Sequence, residues 1–377
     1  MKMVLLELLN KVHFTFDDIK NLLSFRSKED IDMLRDFAYQ VMKQNVGETV
    51  YLRGLIEFSN ICINDCYYCG IRKSNHKVKR YTLDKEEIYE AAKWCAEQGF
   101  GSLVLQSGER NDEQFIDFVE DIIIKIKLST KSEKLPSGLG ITLCVGEQTK
   151  ETYQRFFNAG AHRYLLRIET SSPVLFKKIH PDFQLYERRM EALKNLKEIG
   201  FQVGTGIMIG IPGQTIDDLA NDILFFKKMD IDMLGMGPYI IHSDTPMNVY
   251  YQEYTERKRE IYELALKVIA VTRIVLKDVN IASTTALQAM YPMGREAGLM
   301  FGANVIMPML TPTHVRNDYQ LYNGKPCIDE FTSDCFECVQ QRIESTGRKV
   351  GKDEYGDSRH YFNNRHLNEY GYLLSPE

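Results

Sequence analysis

The chain has 377 residues, 44% of them hydrophobic and 26% charged, and a formal charge of −5. That balance is ordinary for a folded protein of one large domain or two medium ones, and it excludes a disordered chain. Acids and bases are interleaved, so no basic field awaits a nucleic acid. The apolar stretches 205–212 and 264–276 are short or broken by charge and no leader follows Met1, so a cytoplasmic protein with no membrane partner is expected.

Three helices open the chain: Val4–Asn10, Thr15–Leu23 behind a Thr/Asp cap, and Ser27–Lys43, which begins S-x-x-D. Apolar, β-rich runs then recur near 51–58, 101–106, 139–145, 162–168, 201–209, 232–239, 279–285 and 303–308. Amphipathic stretches separate them. Asp84–Gln98 stops at Gly99, Tyr186–Ile199 stops at Gly200, and Thr215–Met229 starts with T-I-D-D after Pro212-Gly213. Eight such strands over roughly 250 residues predict an α/β fold, a complete (β/α)8 TIM-type barrel, whose doubly buried strands read as continuous apolar runs. The segment 129–138 reads as a surface loop, and the polar, tyrosine-rich tail from about 348 as partly disordered or draped on the surface. Three units are expected: helices 1–48 packed on the barrel, the barrel 49–310, and a C-terminal loop and helix extension 311–377.

Between the first two strands lies N-I-C-I-N-D-C-Y-Y-C-G, which places Cys62, Cys66 and Cys69 at C-x3-C-x2-C. Three thiolates hold three irons of a [4Fe-4S] cubane and leave the fourth iron to an external ligand. The ligand expected here is S-adenosylmethionine, because Tyr67-Tyr68 before the last cysteine and the strand-like YLRGLIEF before the loop resemble the radical S-adenosylmethionine pattern. A structural zinc with His76, or three plain buried thiols, are the alternatives. A second group, Cys327, Cys335 and Cys338, offers ligands for a second, labile iron–sulfur cluster or simply thiols, while Cys95 and Cys144 read as packing residues. Grouped cysteines without a leader suit metal binding in a reducing compartment.

Parallel barrels place their chemistry at the C-terminal ends of the strands. The polar residues there are Q-S-G-E at 106–109, R-Y-L-L-R-I-E-T at 163–170, G-I-P-G-Q-T at 210–215, H-S-D-T-P at 242–246 and N-I-A-S-T-T-A at 280–286. In this order, with the cysteine triad, they resemble the [FeFe]-hydrogenase maturases of the HydE type, which lie beside biotin synthase and methylornithine synthase among radical S-adenosylmethionine barrels. The resemblance covers nearly the whole chain. Ile168, where a histidine can occur, is one departure.

The resemblance implies that Gln106, Gly108 and Glu109 form the cofactor's amine-binding stretch, that Arg188 takes its carboxylate with Arg189 as runner-up, and that Glu169 takes its ribose. Tyr68, Met208 and Met236 are the candidate adenine bed, with Gly206 and Gly210 letting backbone approach. Thr142, Arg163, Arg167, Thr284, Thr285 and Tyr319 correspond to a substrate pocket deeper in the barrel. Arg163 and Arg167, four apart on one strand, share a face and need anionic partners, a substrate carboxylate or internal acids. The lone His242 reads as structural. The implied substrate is a cysteine-bound Fe(CO)2(CN) unit from a partner maturase, processed towards the two-iron subcluster of the hydrogenase H-cluster with a reducing electron donor and other maturases as partners. An organic amino acid as substrate and a non-catalytic iron–sulfur carrier are the competing readings.

Overall fold

The computed structural model describes residues 2–329 and 332–365. Three helices lead: Lys2–Leu9, Phe16–Ser24 behind a Thr15–Asp18 capping box, and Lys28–Asn45 with Ser27 as cap. The hydroxyl and carboxylate caps satisfy backbone N–H groups that the first helical turn leaves unpaired. The last two of these helices pack on the long helix Tyr251–Leu276.

Eight parallel strands follow, running Thr49–Ser59, Ser102–Ser107, Gly140–Cys144, Arg163–Leu165, Gln202–Thr205, Met233–Leu234, Asn280–Ile281 and Val305–Ile306. Each lies beside its predecessor, and the eighth lies beside the first, with Tyr51 opposite Val305. The seventh and eighth are joined by a single bridge, Ala282 with Val305. These last strands are shorter than their apolar runs predict because side chains replace ladder bonds. Asn304 Oδ1 accepts from the Ile281 N–H at 2.8 Å, and its Nδ2 donates to Asn280 Oδ1 at 2.8 Å. Helices Lys85–Glu97, Glu113–Ser129, Lys150–Ala159, Tyr186–Ile199 and Ile216–Lys228 fill the crossovers. Gly160 and Gly200 end two of them in the left-handed conformation that glycine adopts without strain. The loop expected over 129–138 is found from 130 on, because Ser129 still belongs to the helix before it.

The tail is not a surface drape. Lys349–Gly351 pairs with the start of the first strand, and the chain then crosses beneath the N-terminal ends of the strands. Gly356 O accepts from Arg53 Nη2 at 2.9 Å and Asn280 Nδ2 at 2.8 Å, while Tyr355 O accepts from Ser102 Oγ at 2.6 Å and Arg163 Nη1 at 3.0 Å. Ser358 N–H donates to Gln202 Oε1 at 3.0 Å. Gly101 leaves room for this passage, since a Cβ there would lie 1.8 Å from Glu354 O. Above the plug remains a cavity of about 20 Å³, room for one water, lined in part by Arg53, Thr142 and Asn280. The residues from 366 on lie outside the described residues.

Candidate active site

The cysteine loop leaves the first strand at its C-terminal end and is held by side chains on every side. Asn60 Nδ2 donates to Lys79 O at 2.8 Å and Asp318 O at 2.7 Å, and Asn60 Oδ1 accepts from the Tyr81 N–H at 2.8 Å. The Arg80 guanidinium gathers the loop carbonyls of Asn60, Ile71 and Arg72 at 2.7–2.8 Å. The segment after the eighth strand lies over the loop, with Gly70 N–H donating to Leu321 O at 2.9 Å. Gly70 must be glycine, because a Cβ would lie 2.1 Å from Gln320 O and 2.5 Å from the His242 ring.

The three thiols are close enough to act on one another. Burial pushes each of them up, Cys66 to about 12 with Cys62 adding to it, and Cys69 well up with Cys66 and Cys62 adding. Three thiols on one short loop are the donor set of a cluster on which each sulfur takes a different iron. Among the described residues no three or more His, Cys, Asp or Glu side chains, these thiols included, stand close enough together to hold a single metal ion.

Around this loop the strand ends bring charged groups together. The Q-S-G-E stretch abuts it directly: Ile63 N–H donates to Glu109 O at 2.9 Å, and a Cβ on Gly108 would lie 2.4 Å from Ile61 O. Glu109 Oε2 accepts from the Glu147 N–H at 2.9 Å, and burial raises the Glu109 carboxyl against the pull of Arg189. Glu169 lies in the left-handed region at φ 64°, a position that costs a non-glycine residue about 1 kcal/mol or more and that clusters at functional sites. Its carboxylate accepts from Arg167 Nε at 3.0 Å and Nη2 at 2.8 Å, while Arg167 Nη1 holds Gly235 O at 2.7 Å. Tyr68 and Tyr67 pack against an apolar cluster containing Met208, Ile179 and Tyr239.

Four expected positions lie elsewhere. Arg188 is exposed on the outer face of its helix, whereas Arg189 is buried, ion-paired with Glu147, and donates to Arg167 O. Met236 is fully buried in the main core, its sulfur 3.6 Å from Thr272 Oγ1 of the long helix. The reason is alternation: Gly235 lines the barrel cavity and Gly237 faces Thr284, so the side chain between them points outward. Arg163 is at the opposite end of the barrel from the cysteines, paired with Asp357 of the tail and donating to Thr142 Oγ1 at 2.9 Å. Thr142 goes with it, and the anion that Arg163 meets is an internal acid. Burial opposes the Asp357 charge, yet His162 and Arg163 hold its carboxyl far below the usual range. Gly206 and Gly210 answer to packing, since Cβ atoms there would meet Gly235 O at 2.1 Å and Ile261 at 2.6 Å.

The remaining candidates stay near the upper end of the strands. Gln106 Nε2 donates to the Tyr319 hydroxyl at 3.3 Å, Thr285 Oγ1 accepts from Arg295 Nη2 at 3.0 Å, and the Thr284 hydroxyl is buried without a partner. Cys327 is half-buried with φ 63°, Cys338 is exposed on the helix Thr332–Glu344, and the side chain of Cys335 lies outside the described residues. Cys95 is a core residue. Sequence reasoning missed the buried pair Glu57 and Lys325, bonded through both carboxylate oxygens at 2.6 Å, which ties the covering segment to the first strand. A charged residue inside the apolar run LIEF was the available signal.

The chain matches the Radical SAM superfamily over residues 56–226. It is 43% identical to the [FeFe] hydrogenase maturase subunit HydE of Thermotoga maritima over 94% of its own length and 97% of that protein's. It is 28% identical to 3-methylornithine synthase of Methanosarcina acetivorans, covering 78% of this chain and 79% of the other. The solved structure of methylornithine synthase (PylB) matches with a TM-score of 0.77 at 25% identity, covering 92% of this chain and 97% of that one. Among the described residues no helix is long and apolar enough to cross a membrane. Similarity at that identity, from end to end, shows that the chain belongs to the HydE family of radical S-adenosylmethionine enzymes, whose cofactors are a [4Fe-4S] cluster and S-adenosylmethionine.

Proposed function

We propose that this enzyme processes a cysteine-bound Fe(CO)2(CN) unit, delivered by a partner maturase, during assembly of the [FeFe]-hydrogenase H-cluster. One observation carries the reading. The cysteine loop, Glu109, Glu169 and Arg189 lie around the C-terminal ends of the strands in a chain that is 43% identical, nearly end to end, to a protein named as a hydrogenase maturase subunit. When bound, the reduced cluster supplies the electron that breaks a carbon–sulfur bond of S-adenosylmethionine, leaving methionine and a 5′-deoxyadenosyl radical.

The protein's own work is to hold and orient. In this reading Glu109 accepts the cofactor's ammonium, and Arg189, rather than Arg188, takes its carboxylate with the planar donors of a guanidinium. Glu169 takes the ribose hydroxyls while Arg167 fixes the carboxylate's direction, and Tyr68 and Met208 support the adenine. Thr284, whose hydroxyl lacks a partner, Thr285 and Tyr319 would bind the amino-acid end of the substrate. The segment 311–329 lies over the cysteine loop and helps to exclude water and stray hydrogen donors. We take the eight strands of 49–310 to form a closed barrel, supported by the Ser283 N–H to Val305 O and Asn304 N–H to Ile281 O bonds at 2.9 Å. A reducing cytoplasm suits the unpaired cluster thiols, and the triad Cys327, Cys335 and Cys338 is kept as a candidate second, labile cluster.

The test is an anaerobic turnover with reductant and S-adenosylmethionine, following 5′-deoxyadenosine with and without a cysteine-bound Fe(CO)2(CN) compound. Consumption of the iron compound coupled to cofactor cleavage is the expected result. An organic amino acid as substrate is the second reading, favoured by the methylornithine synthase likeness, and coupling to free amino acids alone would establish it. No cleavage at all would favour a carrier.

A further inference from the structure

The turn between helix Pro173–Ile179 and helix Tyr186–Ile199 touches the cysteine loop at three points. Tyr67 N–H donates to Ile179 O at 3.0 Å, the Tyr68 hydroxyl lies 3.2 Å from His180 Nε2, and Gln184 Oε1 lies 3.4 Å from Cys66 Sγ. His180 is settled: its Nδ1 is 2.9 Å from Phe176 O, which only accepts, so Nδ1 carries the proton and Nε2 receives the phenol.

Gln184 is not settled. Its carbonyl oxygen takes the Cys66 S–H, while its amide nitrogen is buried with no partner. That orientation suits a thiol only. A thiolate bound to iron has no proton to give, and the carbonyl would then set lone pair against lone pair. Turning the amide by 180° exchanges two atoms of nearly equal size and places the orphaned N–H donor against the sulfur, in the same position and at the same separation. One rotation removes the repulsion and gives the donor a partner, moving the carbonyl oxygen to the buried position that the nitrogen held.

We infer that Gln184 is a positioning residue for the cluster, its side-chain amide donating an N–H···S hydrogen bond to the Cys66 thiolate and so raising the potential at which the cluster accepts its electron. The physical reason is that reduction adds negative charge to the sulfurs, and a donor aimed at one of them stabilises the reduced form more than the oxidised one. Hydrogen bonds to cluster sulfurs and outer partners of metal ligands are established means of tuning such sites. The inference rests on the radical S-adenosylmethionine reading of the cysteine loop.

The experiment is a redox titration, followed by electron paramagnetic resonance, of the anaerobically reconstituted full-length protein without S-adenosylmethionine. Wild type is compared with Gln184→Leu, which removes the donor at similar volume, and Gln184→Glu, which puts acceptors in its place. Both variants are expected to retain the wild-type iron content. At the wild-type midpoint both should hold about tenfold less reduced cluster relative to oxidised, a downward shift of about 59 mV for one electron, with altered g values. Unchanged potentials and g values in two variants that carry full iron would overturn the inference and leave the enzyme assignment standing. A wild type that assembles no reducible cluster would sink the parent reading itself.

Discussion

Replacing Asp357 by Leu tests the structural role assigned to Arg163. Arg163 is fully buried and Asp357 keeps 17% of its side-chain surface, so the substitution strands a cation inside the barrel base beside a second buried arginine, Arg53. Breaking such a pair costs about 3–5 kcal/mol. Thr142 Oγ1, Ser102 Oγ and Tyr355 O still accept from Arg163, which places the cost near the lower end, about 3 kcal/mol. Unfolding entropy of ~2.1 cal/mol/K per residue gives a chain of this length about 0.8 kcal/mol per kelvin, so Tm should fall by about 4 °C in calorimetry. The double variant Arg163→Met with Asp357→Leu should recover most of that loss, because an apolar pair of similar volume leaves no charge uncompensated. The pH dependence has a definite sign. Asp357 titrates below its unfolded value in the folded chain, so its contribution is complete above the unfolded value of about 3.9 and is lost as pH falls through the folded one. Wild type and the single variant should therefore differ by a constant amount from pH 5 to 8 and converge in acid. A single variant that melts with wild type, or one that keeps its Tm while losing substrate binding, would refute the assignment and return Arg163 to the substrate pocket.

Arg189→Met should weaken S-adenosylmethionine binding by about 10–100-fold, the loss expected for charge-assisted hydrogen bonds worth about 1.5–3 kcal/mol, while Arg188→Met should change it by less than a factor of about two; equilibrium binding to the reconstituted protein separates them. Cys66→Ala should abolish iron binding at the first site and 5′-deoxyadenosine formation, whereas Cys338→Ala should leave cleavage intact, as read by iron analysis and chromatography. Burial opposes the charge on His360, but Asp278 and Asp230 at 2.8 Å raise its pKa. Its contribution is therefore complete below the unfolded value of about 6.5 and is lost as pH rises through the folded one. Chemical denaturation between pH 6 and 9 should show a decline that His360→Asn flattens.

Much of the architecture was legible because parallel strands buried on both faces leave continuous apolar runs, and because helices such as Tyr186–Ile199 carry their own stop signals. The cysteine loop was legible for a different reason: its ligands are local in sequence. The burial of Arg189 was within reach too, since it falls in phase with Ala192, Leu193 and Leu196 on the buried face of its helix, whereas Arg188 is turned away from that stripe. The level of Arg163 could have been read from its place at the start of a strand, the end remote from the chemistry. Its partner could not. Asp357 lies 194 residues away, in a segment whose polar composition resembles a solvated tail, and only tertiary structure reveals the partners that its carbonyls and carboxylate meet. Gln184 was equally silent, because the identity of its neighbour depends on how one helical turn docks on the cysteine loop.

The segment that stops the base of the molecule is synthesised after every strand that it closes. Until residues 348–358 leave the ribosome, Arg53 and Arg163 face an open channel without their counter-charge, and the carbonyls that receive their guanidinium protons do not yet exist in the chain. A premature stop codon well downstream of the cysteine loop would thus yield a nascent product in which that loop is fully encoded but the floor is missing.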